Sequence, residues 1–164
     1  MGQVFSSSSD RLKDWGILLI RVMLGSVMFA HGASKVFGIW GGKGLEETVA
    51  MMSQNYGPFL AYLSIFTELI GGAAMILGLV TRFWGIGIFI NMMVAVIGVH
   101  LANGFIGKGG FEFPLTLAIM ALAVVISGPG ALSLDAMLFK VPQKIQIMRE
   151  ASRRVSVGSA VPRH

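Results

Sequence analysis

Residues 58–101 read PFLAYLSIFTELIGGAAMILGLVTRFWGIGIFINMMVAVIGVHL, and this stretch decides the fold. It consists of two apolar runs, 58–80 and 83–101, which are separated by Thr81 and Arg82. Crossing the hydrocarbon core of a bilayer takes about 20 consecutive, mostly apolar residues at a rise of about 1.5 Å each. Both runs have about that length. They predict two transmembrane helices joined by a tight turn, which are therefore antiparallel neighbours.

Two further apolar runs flank this pair, at residues 15–37 and 113–126. The last run reaches spanning length only if Phe111 and residues 128–132 are counted. The chain of 164 residues is 54% hydrophobic and 13% charged, with a mean hydropathy of +0.74, far from an ordinary soluble domain. We predict an all-α integral membrane protein, a four-helix bundle. Residues 15–136 would form one transmembrane domain between a polar N-terminus (1–14) and a basic tail (137–164).

The lysines and arginines are distributed unevenly between the two ends of this bundle. The N-terminus, the turn at Arg82 and the tail carry nine of the 13, the two opposite connections carry three, and Arg21 lies within the first run. Because cytoplasmic loops are enriched in Lys and Arg, we expect both termini in the cytoplasm of a bacterial inner membrane. The net charge of +5 results from this distribution and does not indicate binding to nucleic acid.

The connections and the tail have patterns of their own. Residues 45–52 (LEETVAMM) place apolar side chains at helical spacing and predict a short helix at the membrane interface. The second outer connection, 103–112, is rich in glycine and predicts an irregular loop. In the tail, residues 143–154 are basic, which fits either a solvated segment or a helix on anionic lipid or a partner. We expect the residues after Ser156 to be disordered.

Small residues predict where the helices approach one another. Ser26, Ala30, Ser34 and Gly38 recur every four residues along the first run, and residues 71–74 (GGAA) form a similar patch on the second. Such surfaces let helices pack closely, within a chain or between chains. Besides the lipid bilayer, we therefore expect other membrane subunits or further copies of this chain as partners.

The chain contains no cysteine. This removes iron–sulfur ligation, covalent haem attachment and thiolate zinc sites from consideration. Quinones and flavins stay open as bound groups. A haem held by two histidines is disfavoured, because four helices barely provide room for it.

Ionisable residues within the apolar runs are the candidate functional residues, because a charge inside a membrane costs at least about 2.5–3.5 kcal/mol. They are Arg21, His31, Glu68 and His100, with Asn91 as a weaker polar case. Arg21 lies about 9 Å from the predicted cytoplasmic end, within reach of a snorkelling side chain. Glu68 lies near the middle of its run and has to be paired, protonated or in contact with water.

Helical angles test which of these residues can share a site. At about 100° per residue, Arg21, His31 and Lys35 fall within a sector of about 80° on the first helix. Asn91 and His100 are nine residues apart, about 180° on a regular helix, so only one of them is expected to line a shared site. We select His100, because it lies at the same depth as His31.

The predicted site is a pocket in the outer half of the bundle, formed by His31, Lys35, Glu68, His100, Asn103 and Glu112. Imidazole and carboxylate groups together can shuttle protons to and from a quinone. His31, His100 and Glu112 have workable types of metal ligand but no supporting spacing, so no metal site is predicted. A simpler interpretation also stays open, in which the histidines only hydrogen-bond water near the headgroups.

Read with their neighbours, these polar residues resemble the DoxX family of small four-helix bacterial membrane proteins. The segments that carry the resemblance are LIRVMLG (19–25), HGASKVFG (31–38), ELIGG (68–72), GLVTR (78–82), HLANGF (100–105), FEFPL (111–115) and GPGALSLD (128–135). The similarity covers about residues 12–136. The polar positions that recur in the family correspond here to Arg21, His31, Lys35, Glu68, His100, Asn103 and Glu112, which adds Arg21 to the predicted site.

The resemblance implies chemistry linked to quinones. The family is similar to the small subunit of an archaeal thiosulfate:quinone oxidoreductase, and other members are similar to proteins linked to hydroquinone or catechol resistance. It implies a quinone-linked oxidoreductase, or a membrane subunit of one. The catalytic residues would be His31, Glu68 and His100, and the quinone-binding residues would be Arg21, Lys35, Asn103 and Glu112.

Two other functions remain open. The first is a non-catalytic accessory subunit of a larger respiratory or photosynthetic membrane complex. The second is transport of a small solute, which is less favoured because four helices enclose little space, although Glu68 would suit proton coupling.

Overall fold

The computed structural model describes the backbone of residues 2–138 and the side chains of residues 11–138. The described part contains five α-helices and no strand: α1 (Gly2–Phe37), α2 (Leu45–Leu77), α3 (Thr81–Ala95), α4 (Glu112–Ser127) and the short α5 (Leu134–Leu138). The prediction of an all-α chain is confirmed. The tail segment 143–154 and the residues after Ser156 lie outside the described residues.

The four long helices pack in a ring. Helix α1 packs along α2, α3 packs along α4, and the contacts of α2 with α3 and of α1 with α4 complete the circle. The interior is filled by apolar side chains that are almost fully buried, among them Leu24, Met28, Met75, Ile88 and Ala121. This ring leaves two ends. We call the end with Phe37, Pro58 and Glu112 the loop end, and the end with Leu77, Thr81 and Ser127 the termini end.

Three helical stretches are long and apolar enough to cross a membrane: Arg11–Phe37, Ile39–Leu77 and Thr81–Asn103. The fourth helix is shorter. At 16 residues, α4 spans about 24 Å, less than the hydrocarbon core of about 30 Å. The extension through residues 128–132 is not helical, because Gly128 (φ 84°) and Gly130 (φ 72°) adopt left-handed backbone on either side of Pro129.

Helix α2 is broken near the loop end. Gly57 adopts φ 76° and ψ 159°, and Pro58 comes directly after it. A proline suits the first position of a helix, where its missing N–H costs no hydrogen bond. The break separates a short helix, 45–56, from the long helix, 58–77. The helix predicted over residues 45–52 is thus confirmed, and its position at the membrane interface stays a prediction.

The turn between α2 and α3 is as tight as the sequence predicts. Gly78 (φ 70°) ends α2, its N–H donating to the carbonyl of Met75, while the N–H of Leu79 donates to the carbonyl of Ala74. This is the Schellman arrangement of a helix end. The backbone amides of Val80 and Thr81 then donate to the carboxylate of Asp135, at 2.7 and 2.8 Å. A residue more than 50 positions further along the chain thus caps the first turn of α3.

Glycines set the close contact between α1 and α2. A Cβ atom built on Gly32 would lie 2.4 Å from the backbone nitrogen of Leu69, and one on Gly25 would lie 2.7 Å from the carbonyl oxygen of Gly72. The predicted small patch on α2 therefore includes a true contact residue, Gly72. Ser26, in the stripe predicted on α1, is exposed and takes no part in this contact, so packing of that stripe against another chain stays a prediction. The contact runs through the neighbouring face of α1, which carries glycines with no side chain to separate the backbones.

Candidate functional site

An ion pair lies at the centre of the candidate site. Lys35 Nζ donates to Glu68 Oε1 at 2.6 Å, and the side chain of Glu68 is only 5% exposed. Asn91 Nδ2 lies 3.5 Å from the same oxygen, at the long limit of a hydrogen bond. The second oxygen, Oε2, is buried and has no hydrogen-bond partner among the described residues. Of the states that the sequence allowed for Glu68, the paired one is confirmed.

The close contact of α1 with α2 explains why these two residues meet. Gly32 lies directly against the backbone of Glu68 and Leu69. Lys35 comes three residues after Gly32, which is one helical turn on the same side of α1. Its ammonium group therefore reaches the carboxylate of Glu68 across the interface between the two helices.

A cavity of about 350 Å³ opens beside this ion pair. We call it the loop-end cavity. Its wall includes five of the residues selected from the sequence: His31, Lys35, Glu68, His100 and Glu112. Apolar side chains of α1, α3 and α4 and three glycines of the loop before α4 line the rest. The structure thus brings these five residues together, and their chemical roles stay predictions.

The two histidines of the cavity are held differently. The ring of His31 is tilted by 45° against the ring of Phe113, with centroids 5.9 Å apart. His100 Nδ1 lies 2.7 Å from the carbonyl oxygen of Gly109. A carbonyl only accepts, so Nδ1 carries the proton of this hydrogen bond. In the neutral ring, Nε2 of His100 is then left as a proton acceptor.

Asn103 forms a hydrogen bond with the glycine-rich loop before α4. Its Nδ2 donates to the same carbonyl of Gly109 at 3.0 Å. His100 and Asn103 together fix the glycine-rich loop, residues 104–110, which supplies Gly107, Gly109 and Gly110 to the wall of the cavity. Asn103, predicted to bind quinone, does not line the cavity itself. The irregular loop predicted before α4 is confirmed, after a short 3-10 turn at Leu101–Asn103.

Asn91 and His100 line a second cavity together, contrary to the expectation from helical angles. This cavity of about 570 Å³ lies between α2 and α3, and we call it the α2–α3 groove. The expectation was wrong because Val96–His100 forms a π-helical turn. Such a turn contains an extra residue, which changes the helical phase of the later residues by about 100°. It brings His100 round towards the side of α3 that carries Asn91.

The α2–α3 groove shares a wall with the loop-end cavity. The residues that line both are Lys35, Glu68, Met92, Ala95 and His100. The groove also contains Tyr56, whose hydroxyl is buried without a hydrogen-bond partner among the described residues. The ion pair therefore lies where a polar cavity and a mostly apolar groove meet.

Comparison with known proteins agrees with this architecture. Residues 16–101 match the family model DoxX. A Bacillus subtilis protein named "Putative oxidoreductase CatD" is 36% identical over 126 residues, which are 76% of this chain and 88% of that protein. The chain belongs to the DoxX family.

More distant relatives cover the DoxX chain to a similar extent. A membrane protein of Mycobacterium tuberculosis is 28% identical over 136 residues, 76% of this chain and 82% of its own length. A Haemophilus influenzae protein is 26% identical over 141 residues, 80% of this chain and 96% of its own length. No solved structure matches the chain.

Arg21 of this DoxX protein lies away from the cavity, at the termini end. Its side chain is 1% exposed, and its guanidinium group donates to the carbonyls of Pro129 and of Leu132, the latter at 2.6 Å. The guanidinium group also lies beside Gly78, ten residues or about 15 Å along α2 from Glu68. The structure therefore does not place Arg21 among the quinone-binding residues, and it does not snorkel to solvent. It holds the non-helical segment after α4.

Asp135 completes this arrangement at the termini end. Partial burial by itself raises the pKa of Asp135. The hydrogen bonds from Thr81 and Val80 and the positive charge of Arg21 outweigh it and bring the pKa of Asp135 below its ordinary value. The GPGALSLD motif of the DoxX resemblance thus has a structural role, since it ties the end of α4 to α1 and to the turn between α2 and α3.

Two groups of the site were missed by sequence reasoning. Asn91 was set aside on helical phase, and Tyr56 lies outside the four apolar runs. The signal available for Asn91 was its amide side chain inside an apolar run, which needs a polar partner such as Glu68. Asn91 and His100 can line one cavity only because of the π-helical turn, which sequence periodicity does not show. Among residues 11–138, no three His, Asp or Glu side chains come together as a metal site would require.

Proposed function

We propose that this DoxX-family membrane protein is a quinone-linked oxidoreductase, or the membrane subunit of one. The observation that carries the proposal is the ion pair of Lys35 with the buried Glu68, which lies beside two histidines of the same cavity. Ionisable groups inside a membrane are costly and mark pathways for protons, ions or substrates. The Bacillus subtilis relative is named "Putative oxidoreductase CatD", and this name supports the same class of reaction.

Reduction of a quinone to a quinol takes up two electrons and two protons, one proton for each carbonyl oxygen. In the loop-end cavity, His31 and Lys35 would donate hydrogen bonds to the quinone carbonyls. His100 would exchange a proton through Nε2, because its Nδ1 is engaged by Gly109. Glu68 would pass protons, with Oε2 as its free acceptor. Without cysteine the chain holds no iron–sulfur cluster, so the electrons would come from a donor protein that carries a flavin or such a cluster.

The proposed membrane and orientation of the protein are based on the distribution of Lys and Arg. We place the protein in a bacterial cytoplasmic membrane with both termini in the cytoplasm, as the distribution of Lys and Arg favours. The loop-end cavity would then open on the outer side. Protons for the quinone would be exchanged with that side.

Turnover by variants tests the proposal. We expect His31→Ala and Glu68→Gln to abolish quinone reduction by the protein purified with its native donor, because each removes a proton-carrying group. Glu47→Gln is the matched control, since Glu47 pairs with Lys43 on the exposed surface of the short helix, and it should keep full activity. Wild-type turnover by both His31→Ala and Glu68→Gln would show that the cavity is not catalytic.

A second candidate function is a non-catalytic accessory subunit of a larger membrane complex. The exposed Ser26 on α1 favours it, because a small side chain next to lipid lets a helix of another subunit approach closely. Purification from native membranes discriminates between the two. Stable co-migration with a large complex whose activity survives His31→Ala would support the accessory role and contradict the catalytic one.

A further inference from the structure

The α2–α3 groove is open along the outside of the bundle. Helices α2 and α3 pack less extensively against each other than α1 packs against α2 or α3 against α4. The α3 side of the groove runs along one face of that helix at steps of three or four residues: Phe83, Gly87, Asn91 and Val94. It continues to Val99 in the π-helical turn. The α2 side has the same steps, with Tyr56, Leu60, Leu63 and Thr67. The groove therefore runs lengthwise along the seam between the two helices.

The rim of this groove is apolar and faces outward. Leu60, Leu63, Ile90 and Val94 line it, and each is about half exposed, between 46% and 56%. Both helices are long and apolar enough to cross a membrane, so these side chains would face lipid acyl chains. A molecule dissolved in the bilayer can enter such a groove sideways, without passing through water.

One part of the groove is polar. Lys35, Glu68, Asn91 and His100 line it there, and the first two form the central ion pair. The buried atoms Glu68 Oε2 and Tyr56 Oη have no hydrogen-bond partner among the described residues. Leaving a buried polar atom unpaired is unfavourable. A quinol hydroxyl would donate to Glu68 Oε2, and a quinone carbonyl would accept from Tyr56 Oη, so a head group of this kind would remove part of that cost.

We propose that the α2–α3 groove binds the hydrocarbon tail of a membrane-dissolved quinone, which enters sideways between α2 and α3 and brings its head to the wall shared with the loop-end cavity. This inference rests on the proposed function, and it adds the route of access and the binding site of the tail. The volume of the groove, about 570 Å³, lies within the range of about 300–1,000 Å³ that is usual for small-molecule sites. Protons would reach the same head from the other cavity, which His31 and Glu112 line.

A glycine in the groove allows a specific test. A Cβ atom on Gly87 would meet only Thr67 Cγ2, at 3.5 Å, an ordinary contact distance. Gly87→Leu therefore fills the groove without pushing the helices apart at the backbone. Gly16→Leu is the matched control, because Gly16 lies in α1 with no atom within 4 Å of a built Cβ. Ser64→Leu fills the groove from α2 and serves if Gly87→Leu does not fold.

Binding is measured by quenching of tryptophan fluorescence in nanodiscs. The ligands are menaquinone and ubiquinone with full tails, and the same head groups without tails. We expect Gly87→Leu to weaken binding of the tailed quinones by about tenfold or more, with binding of the tail-less heads unchanged. Gly16→Leu should bind all four ligands as the wild type does.

The outcomes separate the two proposals. If the wild type binds quinones and the groove variants bind the tailed ones equally well, the tail site is wrong and the proposed function stands. The tail site is also wrong if the groove variants weaken tailed and tail-less quinones alike. If the wild type binds none of the four ligands, the proposed function fails, and the tail site fails with it.

Discussion

Two lysine–glutamate pairs in this protein have the same length but different surroundings. Lys35 with Glu68 and Lys43 with Glu47 each join Nζ to Oε1 at 2.6 Å. Glu68 is 5% exposed, whereas Glu47 is 60% exposed. An exposed pair contributes about 0–1 kcal/mol, while a charge that loses its partner in a buried site is left without compensation. The burial of the carboxylate, rather than the distance, decides what each pair does.

The first prediction removes the cation from each pair. Lys35→Met should lower the free energy of unfolding by about 1–3 kcal/mol, because it leaves a buried carboxylate with only the long contact to Asn91. Lys43→Met should change it by less than about 1 kcal/mol. The measurement is reversible unfolding in detergent micelles.

A double variant checks the physical cause. Lys35→Met combined with Glu68→Gln should be more stable than Lys35→Met alone, because no unpaired charge is then buried. If the double variant is less stable than both single variants, the loss comes from packing rather than from charge.

At the scale of helices, two backbone features decide which side chains meet. Gly32 lets α1 approach the backbone of Leu69, and this contact brings Lys35 to Glu68. The π-helical turn Val96–His100 rotates His100 towards the side of Asn91. A glycine that packs by a close backbone approach and a turn with one extra residue are both local deviations from a uniform helix. Each of them sets the direction of a polar side chain.

The second prediction compares two glycines within α1. Gly32→Ala should destabilise the bundle by about 1–3 kcal/mol, because its Cβ would lie 2.4 Å from the nitrogen of Leu69 and would separate the helices. Gly16→Ala should stabilise it by about 0.5–1 kcal/mol, since nothing lies near its Cβ. Unfolding by denaturant measures both. Effects of the same sign would argue against the close contact of α1 with α2.

At the scale of the whole molecule, the two ends of the bundle differ in what their polar residues contact. The termini end is held by Arg21, Asp14 and Asp135, which bind the backbone of the segment after α4 and of the turn before α3. The loop end carries the cavity and its histidines. If Lys and Arg set the orientation, the termini end faces the cytoplasm, and the loop end with its cavity faces outward.

The third prediction tests this orientation. Because the chain has no cysteine, single introduced cysteines report which side of the membrane they occupy. A thiol reagent that cannot cross the membrane should label Lys43→Cys on intact cells. It should label Ser8→Cys only after the cells are opened. Labelling of Ser8→Cys on intact cells would reverse the orientation and place the cavity on the cytoplasmic side.

The fold and the candidate site differ in how far the sequence predicts them. Runs of apolar residues define membrane helices without any knowledge of their neighbours, so the helices and the tight turn at Gly78 can be predicted from the sequence. The family is predicted from a different signal, the resemblance of segments such as HGASKVFG (31–38) and GLVTR (78–82). The sequence likewise predicts that Glu68 needs a partner, because its carboxyl group lies within an apolar run. The roles of Arg21 and Asn91 depend on the segment after α4 and on the phase of α3. The family resemblance misplaces Arg21, and uniform helical geometry misplaces Asn91.

Sequence alone determined that this is a helical membrane protein, because hydropathy acts on each stretch of about 20 residues independently. The DoxX family follows from the matching sequence segments and not from hydropathy. Five polar residues of the cavity can be selected from the sequence, but only the tertiary structure decided the final set, with Asn91 included and Arg21 left out. That choice depends on contacts between distant parts of the chain: α1 on α2 through Gly32, His100 on the loop at Gly109, and Arg21 on the carbonyl of Leu132. Hydropathy contains no information about such contacts, because it does not depend on how the helices are rotated or on where their regular geometry is interrupted.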